Sequence, residues 1–165
     1  MKVAIVGALL WVGLGVSAQA QSDFATHILA AHNEERAALN IPPLTWSDAL
    51  ASDARQWAAH LVTTGAWQHA DAATRKGEGE NLWEGTAGAF SVEEMVGGWI
   101  GEKRYFRYGP FPGDGRSAGQ PIGHYTQMIW RSTTQVGCAI ATGHGNDVLV
   151  CRYAPMGNFI GEAPY

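Results

Sequence analysis

The sequence predicts an α+β domain, and three observations carry that prediction. Amphipathic helical stretches follow one another between about residues 22 and 102. Two alternating, β-prone stretches, VGCAIA and VLVCRYA, then flank the turn-forming TGHGND. Each of those stretches carries one cysteine, at equal distances from the centre of the turn.

Lys2 and the apolar run from Val3 to Val16 read as an export signal, residues 1–20, with small residues at Ala18 and Ala20 suited to cleavage after Ala20. The run falls short of the roughly 20 residues that a spanning helix needs. No later stretch is longer or more apolar, so no membrane span is expected. The remainder, 21–165, has no linker, repeat or low-complexity tract and reads as one domain. The expected location is extracellular, or periplasmic in a bacterium. Without Lys2, ten basic residues face fifteen acidic ones, a net charge of −5. That balance argues against nucleic acid, whose phosphates need a basic face, and against an anionic membrane surface. Of the tryptophans at 46, 57, 67, 83, 99 and 130, most are expected in the core.

Ser22 or Asp23 can cap a first helix through about Leu39, with Ile28, Ala31, Glu35 and Ala38 along one face, and Asn40 with IPP stops it. Ser47 caps a second helix, whose stripe Leu50, Ala54, Trp57, Ala58 and Leu61 ends before Thr63-Thr64-Gly65. Ser91 and Glu94 form a capping box for a third. On that helix Val92, Met95, Val96 and Trp99 mark the buried face, and helical spacing turns Glu102 toward the same side. An inward carboxylate is costly unless it is paired, hydrogen-bonded or bound to a metal, and a buried arginine such as Arg36 is one candidate partner. In GHYTQMIW, His124 lies near an apolar stripe with Gln127 and Met128, so a second polar group points inward from a different element. A histidine there reads as a hydrogen-bonded core residue or as a ligand, and in the second reading it would share a cleft with Glu102. After it, the symmetric hairpin sets Cys138 opposite Cys151, within bridging distance, and a disulfide is expected.

GHYTQMIWRSTTQVGCAIA and VLVCRYAPMGNFIGEAPY resemble the two signature motifs of the CAP superfamily of cysteine-rich secretory, antigen 5 and pathogenesis-related proteins. The earlier stretches AHNEERAALNIPPLTWSDAL, WQHADAATRKGEGENLWEG and GGWIGEK are similar to it as well. The resemblance implies a three-layer α/β/α sandwich with a central antiparallel sheet. It also implies a cleft lined by His69, Glu80, Glu102 and His124, with Tyr125 and Gln127 as cleft support. Such a tetrad implies a divalent cation, and two imidazoles with two carboxylates suit zinc better than calcium or magnesium. Glu78 and His60 lie close to tetrad members in sequence; the match at GEN favours Glu80, and His60 is expected at the surface. The chain departs from the resemblance at Ala70, where serine is common, and at Arg152, where asparagine is common. The Gly/Pro-rich residues 107–121 align with no lipid-binding loop, and no C-terminal cysteine-rich extension is expected.

The resemblance implies a secreted binding module for a cation and for a sterol, a fatty acid or a partner protein. An extracellular metal-dependent or His/Glu hydrolase comes second, because no serine or cysteine nucleophile falls in the motifs, and a non-enzymatic role is favoured. A purely structural extracellular protein, with the tetrad as an internal polar network, comes third.

Overall fold

The computed structural model describes residues 18–112 and 119–165. The export signal assigned to residues 1–20 therefore lies almost wholly outside them, as does part of the Gly/Pro-rich loop. Helix α1 (Ala18–Ala38) starts ahead of the expected cap, so its first turn spans the bond after Ala20. Strand β1 (Thr45–Trp46) leads into α2 (Asp48–Thr64), where Ser47 Oγ accepts from Leu50 N–H at 3.3 Å. Gly65, in the left-handed region, ends α2 by donating to Leu61 O. A short helix α3 (Ala72–Arg75) and strand β2 (Gly79–Thr86) follow. Helix α4 (Val92–Ile100) begins at the expected capping box of Ser91 and Glu94. It stops before Glu102, which lies instead on a 3-10 turn, Gly101–Arg104. Helix α5 (Gly123–Met128) and the hairpin of β3 (Gln135–Gly143) and β4 (Asn146–Ala154) complete the fold.

The strands form one sheet in the order β1-β3-β4-β2. β4 runs antiparallel to both β3 and β2, but the two residues of β1 pair parallel to Gln135 and Val136. The sheet is thus mixed at one edge rather than antiparallel throughout. The cause is the crossing from α1, which lays Thr45 N–H on Thr134 O and Ser47 N–H on Val136 O.

Helix α2 covers one face, burying Ala54, Ala58 and Leu61 against Leu82, Ala139 and Val150. The opposite face packs Ile28 of α1, Val96 and Trp99 of α4, and Met128 of α5 against Val136, Leu149 and Tyr153. This is the three-layer arrangement. Gly137 sets how closely α2 approaches, because a Cβ there would stand 2.3 Å from Ala51 N and 2.4 Å from Ser47 O. Of the six tryptophans among the described residues, only Trp67 is largely exposed.

The hairpin turn centres on His144 and Gly145, both at positive φ, as a tight antiparallel turn demands. Cys138 pairs with Cys151 across it, with Cα atoms 4.1 Å apart, and the two form the expected disulfide. The closed loop is short, so reducing the bond should lower stability by about 2 kcal/mol. Thermal melts with and without reductant measure this directly. Free thiols titrating in the folded, unreduced protein would contradict the bridge.

Candidate functional site: two histidine–carboxylate pairs flanking strand β2

Glu102 reaches inward, and its partner is His124 rather than Arg36. Its Oε1 lies 2.6 Å from His124 Nδ1, while Oε2 accepts the backbone N–H groups of His124 and Tyr125 at 2.9 and 3.0 Å. Those two N–H groups belong to the first turn of α5, where no helical carbonyl can reach them, and Ile122 supplies no side-chain cap. Glu102 therefore caps α5 from another element and orients the imidazole of the same helix. Trp99 stacks on that imidazole, ring centroids 6.0 Å apart.

The second pair repeats this arrangement on β2. Glu80 Oε1 accepts from His69 Nδ1 at 2.7 Å and from Ala70 N–H at 3.0 Å. Its Oε2 lies 2.9 Å from Arg152 Nη2, and Nη1 of the same guanidinium donates to Glu78 at 3.0 Å. Arg152, at the position where the sequence departs from the common asparagine, thus holds both carboxylates. The Glu80 side chain is fully buried, whereas that of His69 is about half exposed. Burial pushes the Glu78 carboxyl above its usual range, opposed by Arg152.

Both carboxylates accept from backbone N–H, so each neighbouring Nδ1 carries the ring proton and Nε2 is the ring atom left free to ligate. Glu80 and its cross-strand partner Arg152 share the α2-facing side of the sheet with Leu82 and Val150. Asn81 turns the other way and donates to His124 O at 3.1 Å. The four tetrad residues therefore form two histidine–carboxylate pairs, one at Glu80 on β2 and one between the 3-10 turn and α5. Among the described residues, no three His, Cys, Asp or Glu side chains are grouped so as to hold a metal ion.

The other candidates sit nearby in different roles. Tyr125 directs its hydroxyl to Glu35 of α1 at 3.1 Å, and burial beside that carboxylate raises its pKa. Gln127 donates to Thr133 Oγ1 at 3.1 Å and accepts from Gly157 N–H at 2.9 Å, fastening the segment after α5. His60 lies exposed and stacked on Trp57. Both cysteines are consumed by the disulfide, so no free thiol is present.

Behind His124 runs a buried polar chain that the sequence reading missed. Asn81 Nδ2 bonds both His124 O and Tyr153 Oη at 3.1 Å. Tyr153 Oη meets His32 Nε2 at 2.9 Å, and His32 Nδ1 lies 2.7 Å from Ile28 O. A carbonyl only accepts, so Nδ1 carries the proton and Nε2 accepts from the tyrosine. Complete burial lowers the His32 pKa to about 4, which keeps the ring neutral.

Residues 29–153 match the model of the CAP family, described as the cysteine-rich secretory protein family. The chain is 35% identical over 158 residues to pathogenesis-related protein 1A of Nicotiana tabacum, covering 95% of this chain and 89% of the relative. It is 36% identical over 159 residues to peptidase inhibitor 15-A of Danio rerio, covering 84% of this chain and 59% of that protein. Among solved structures, Na-ASP-1 aligns with a TM-score of 0.76 at 22% identity, over 99% of this chain and 46% of its own length. The structure titled NaASP2 with Zn2+ aligns with a TM-score of 0.74 at 22% identity, over 92% of this chain and 90% of that chain. At those identities the structural likeness concerns the fold.

Proposed function

The chain belongs to the CAP, or cysteine-rich secretory protein, family, and from that membership we propose a secreted binding protein whose His/Glu cleft takes up zinc through His69 and His124. One observation carries the reading. Each histidine is oriented through Nδ1 by a carboxylate that is itself fixed by backbone N–H donors. Carboxylate–histidine pairs of this kind set the tautomer and ring angle that a metal needs. Glu80 and Glu102 then act as positioning residues and His69 and His124 as ligands, with further positions open to water or to a ligand's donor atom. Bound zinc would supply Lewis acidity and a fixed positive charge in the cleft. The donor set fits zinc because imidazole nitrogen is borderline-soft. A structural relative crystallised with Zn2+ supports the choice of ion. Secretion is supported by the Cys138–Cys151 disulfide, since such bonds persist in oxidising compartments. The apolar or protein ligand of the module is part of the same proposal.

Zinc at 100 times its dissociation constant should stabilise the fold by about 2.7 kcal/mol, a rise of several degrees in melting temperature. Protons compete with metal for imidazole nitrogen, so the rise should shrink between pH 7 and pH 5. His60→Ala should behave as the parent, and Glu102→Gln should weaken binding roughly 10- to 100-fold by releasing the ring of His124. If the double substitution His69→Ala with His124→Ala retains the parent's zinc-induced rise, the ion is not held at this cleft.

A further inference from the structure

We propose that the open edge of β3 is a docking slot for an extended peptide in which apolar and acidic residues alternate. β1 covers β3 only at Gln135 and Val136, because α2 starts at Asp48 and carries the chain away across Gly137. In an antiparallel pair, alternate residues turn both backbone groups away from the partner strand. Val136 belongs to that outward set, since its carbonyl accepts from Ser47 N–H at 2.9 Å. Two-residue alternation then places the carbonyl of Cys138 and both backbone groups of Ile140 in the same set. Among the described residues nothing hydrogen-bonds these outward groups.

In front of them lies a groove of about 260 Å³. Phe24 of α1 and Trp46 form its wall on one side of the sheet, and Arg55 of α2 stands on the other. Arg55 is exposed and, among the described residues, has no acidic partner.

The groove's chemistry selects its occupant. An acyl chain would cover the apolar wall but leave the outward N–H and C=O groups dry and unpaired. An extended peptide pairs with them as an added strand. Successive side chains of a strand point to opposite faces, so one would meet Phe24 and Trp46 and the next would meet Arg55. That alternation calls for an apolar residue followed by an acidic one. The outward groups lie between side chains from α1 and α2, which favours a single strand over the sheet edge of a second copy.

This inference deepens the reading of the protein as a binding module and is independent of the metal. The test uses the folded chain with Val-Glu-Val-Glu-Val-amide carrying fluorescein on its N-terminal amine, followed by polarisation and by amide hydrogen exchange. The peptide should bind saturably and slow exchange at the Ile140 amide. Its Val-Lys-Val-Lys-Val counterpart and a backbone N-methylated version should each bind at least about tenfold weaker. Arg55→Glu should invert the preference between the glutamate and lysine peptides, and as an exposed position it should leave the fold intact. Equal affinity for the N-methylated peptide, protection confined to other amides, or no saturable binding would each overturn the proposal. Laurate protecting the same amide in place of the peptide, or self-association of the chain through this edge, would overturn it as well. A zinc-induced rise in melting temperature without peptide binding sinks this proposal and leaves the metal reading intact. The opposite result does the reverse.

Discussion

Replacing Arg36 by methionine is expected to lower the unfolding free energy by about 4 kcal/mol, in the range seen when a buried charged group loses its fixed partners. Its guanidinium is buried and is satisfied by carbonyls rather than by a carboxylate. Nε donates to Pro42 O at 2.7 Å, Nη1 to Met128 O and Trp130 O at 3.0 and 2.9 Å, and Nη2 to Thr133 O at 2.9 Å. Burial lowers its pKa to about 10, so it stays charged at neutral pH. Methionine fills similar volume but strands all four acceptors, one at the last residue of α5 and two in the segment that follows it. Lysine, with one compact ammonium, cannot reproduce the planar fork and should recover only part of the loss. A urea titration checks this through its midpoint, with the exposed Arg131→Met as the control expected within about 0.5 kcal/mol of the parent. A loss below about 1 kcal/mol for Arg36→Met would show that the carbonyls find other donors.

The second large effect is acid sensitivity through His32. The folded ring takes a proton only near pH 4, because burial opposes the charge, whereas an unfolded histidine titrates near 6.5. Between those values the unfolded chain binds the extra proton. Stability is therefore intact above about pH 6.5, falls as the pH drops through that window, and has lost on the order of 3 kcal/mol once pH 4 is reached. Glu78 works in the opposite sense, since its raised pKa lets the folded state take up a proton first as the pH falls. The variant His32→Gln isolates the histidine. It should be less stable at pH 7 yet show a flatter decline between pH 6.5 and 4, read from urea midpoints at half-unit steps. Parallel declines in parent and variant would remove His32 as the cause.

The caps at Ser47 and Ser91 and the hairpin around residues 144 and 145 follow from signals a few residues long, and they stand where the spacing puts them. β2 escaped because GENLWEGT lacks apolar alternation; its partner β4 supplies the pairing that its own residues do not demand. Glu102 faces inward as helical spacing requires, although α4 has already ended and a 3-10 turn carries it. Spacing pointed to Glu102 and His124, while His69 and Glu80 came only from the family resemblance. The pairing of these four depends on contacts 22 and 11 residues apart in the chain, which no local pattern encodes. Arg152 looked like a departure from the family pattern. Its role became visible only when the sheet register placed it beside Glu80, with Glu78 in reach of the same guanidinium.

The chain of hydrogen bonds from His124 O through Asn81, Tyr153 and His32 bears on inheritance. Each of its three side chains serves two partners, so a change at one strands polar atoms on both sides of it. Asn81→Asp would set an acceptor against the carbonyl of His124, and Tyr153→Phe would leave both Asn81 and His32 short of a partner. No single step along the thread is neutral, and compensation requires a second change on a different element. Asn81, Tyr153 and His32, taken from β2, β4 and α1, should therefore pass between lineages as one unit, kept together or replaced together.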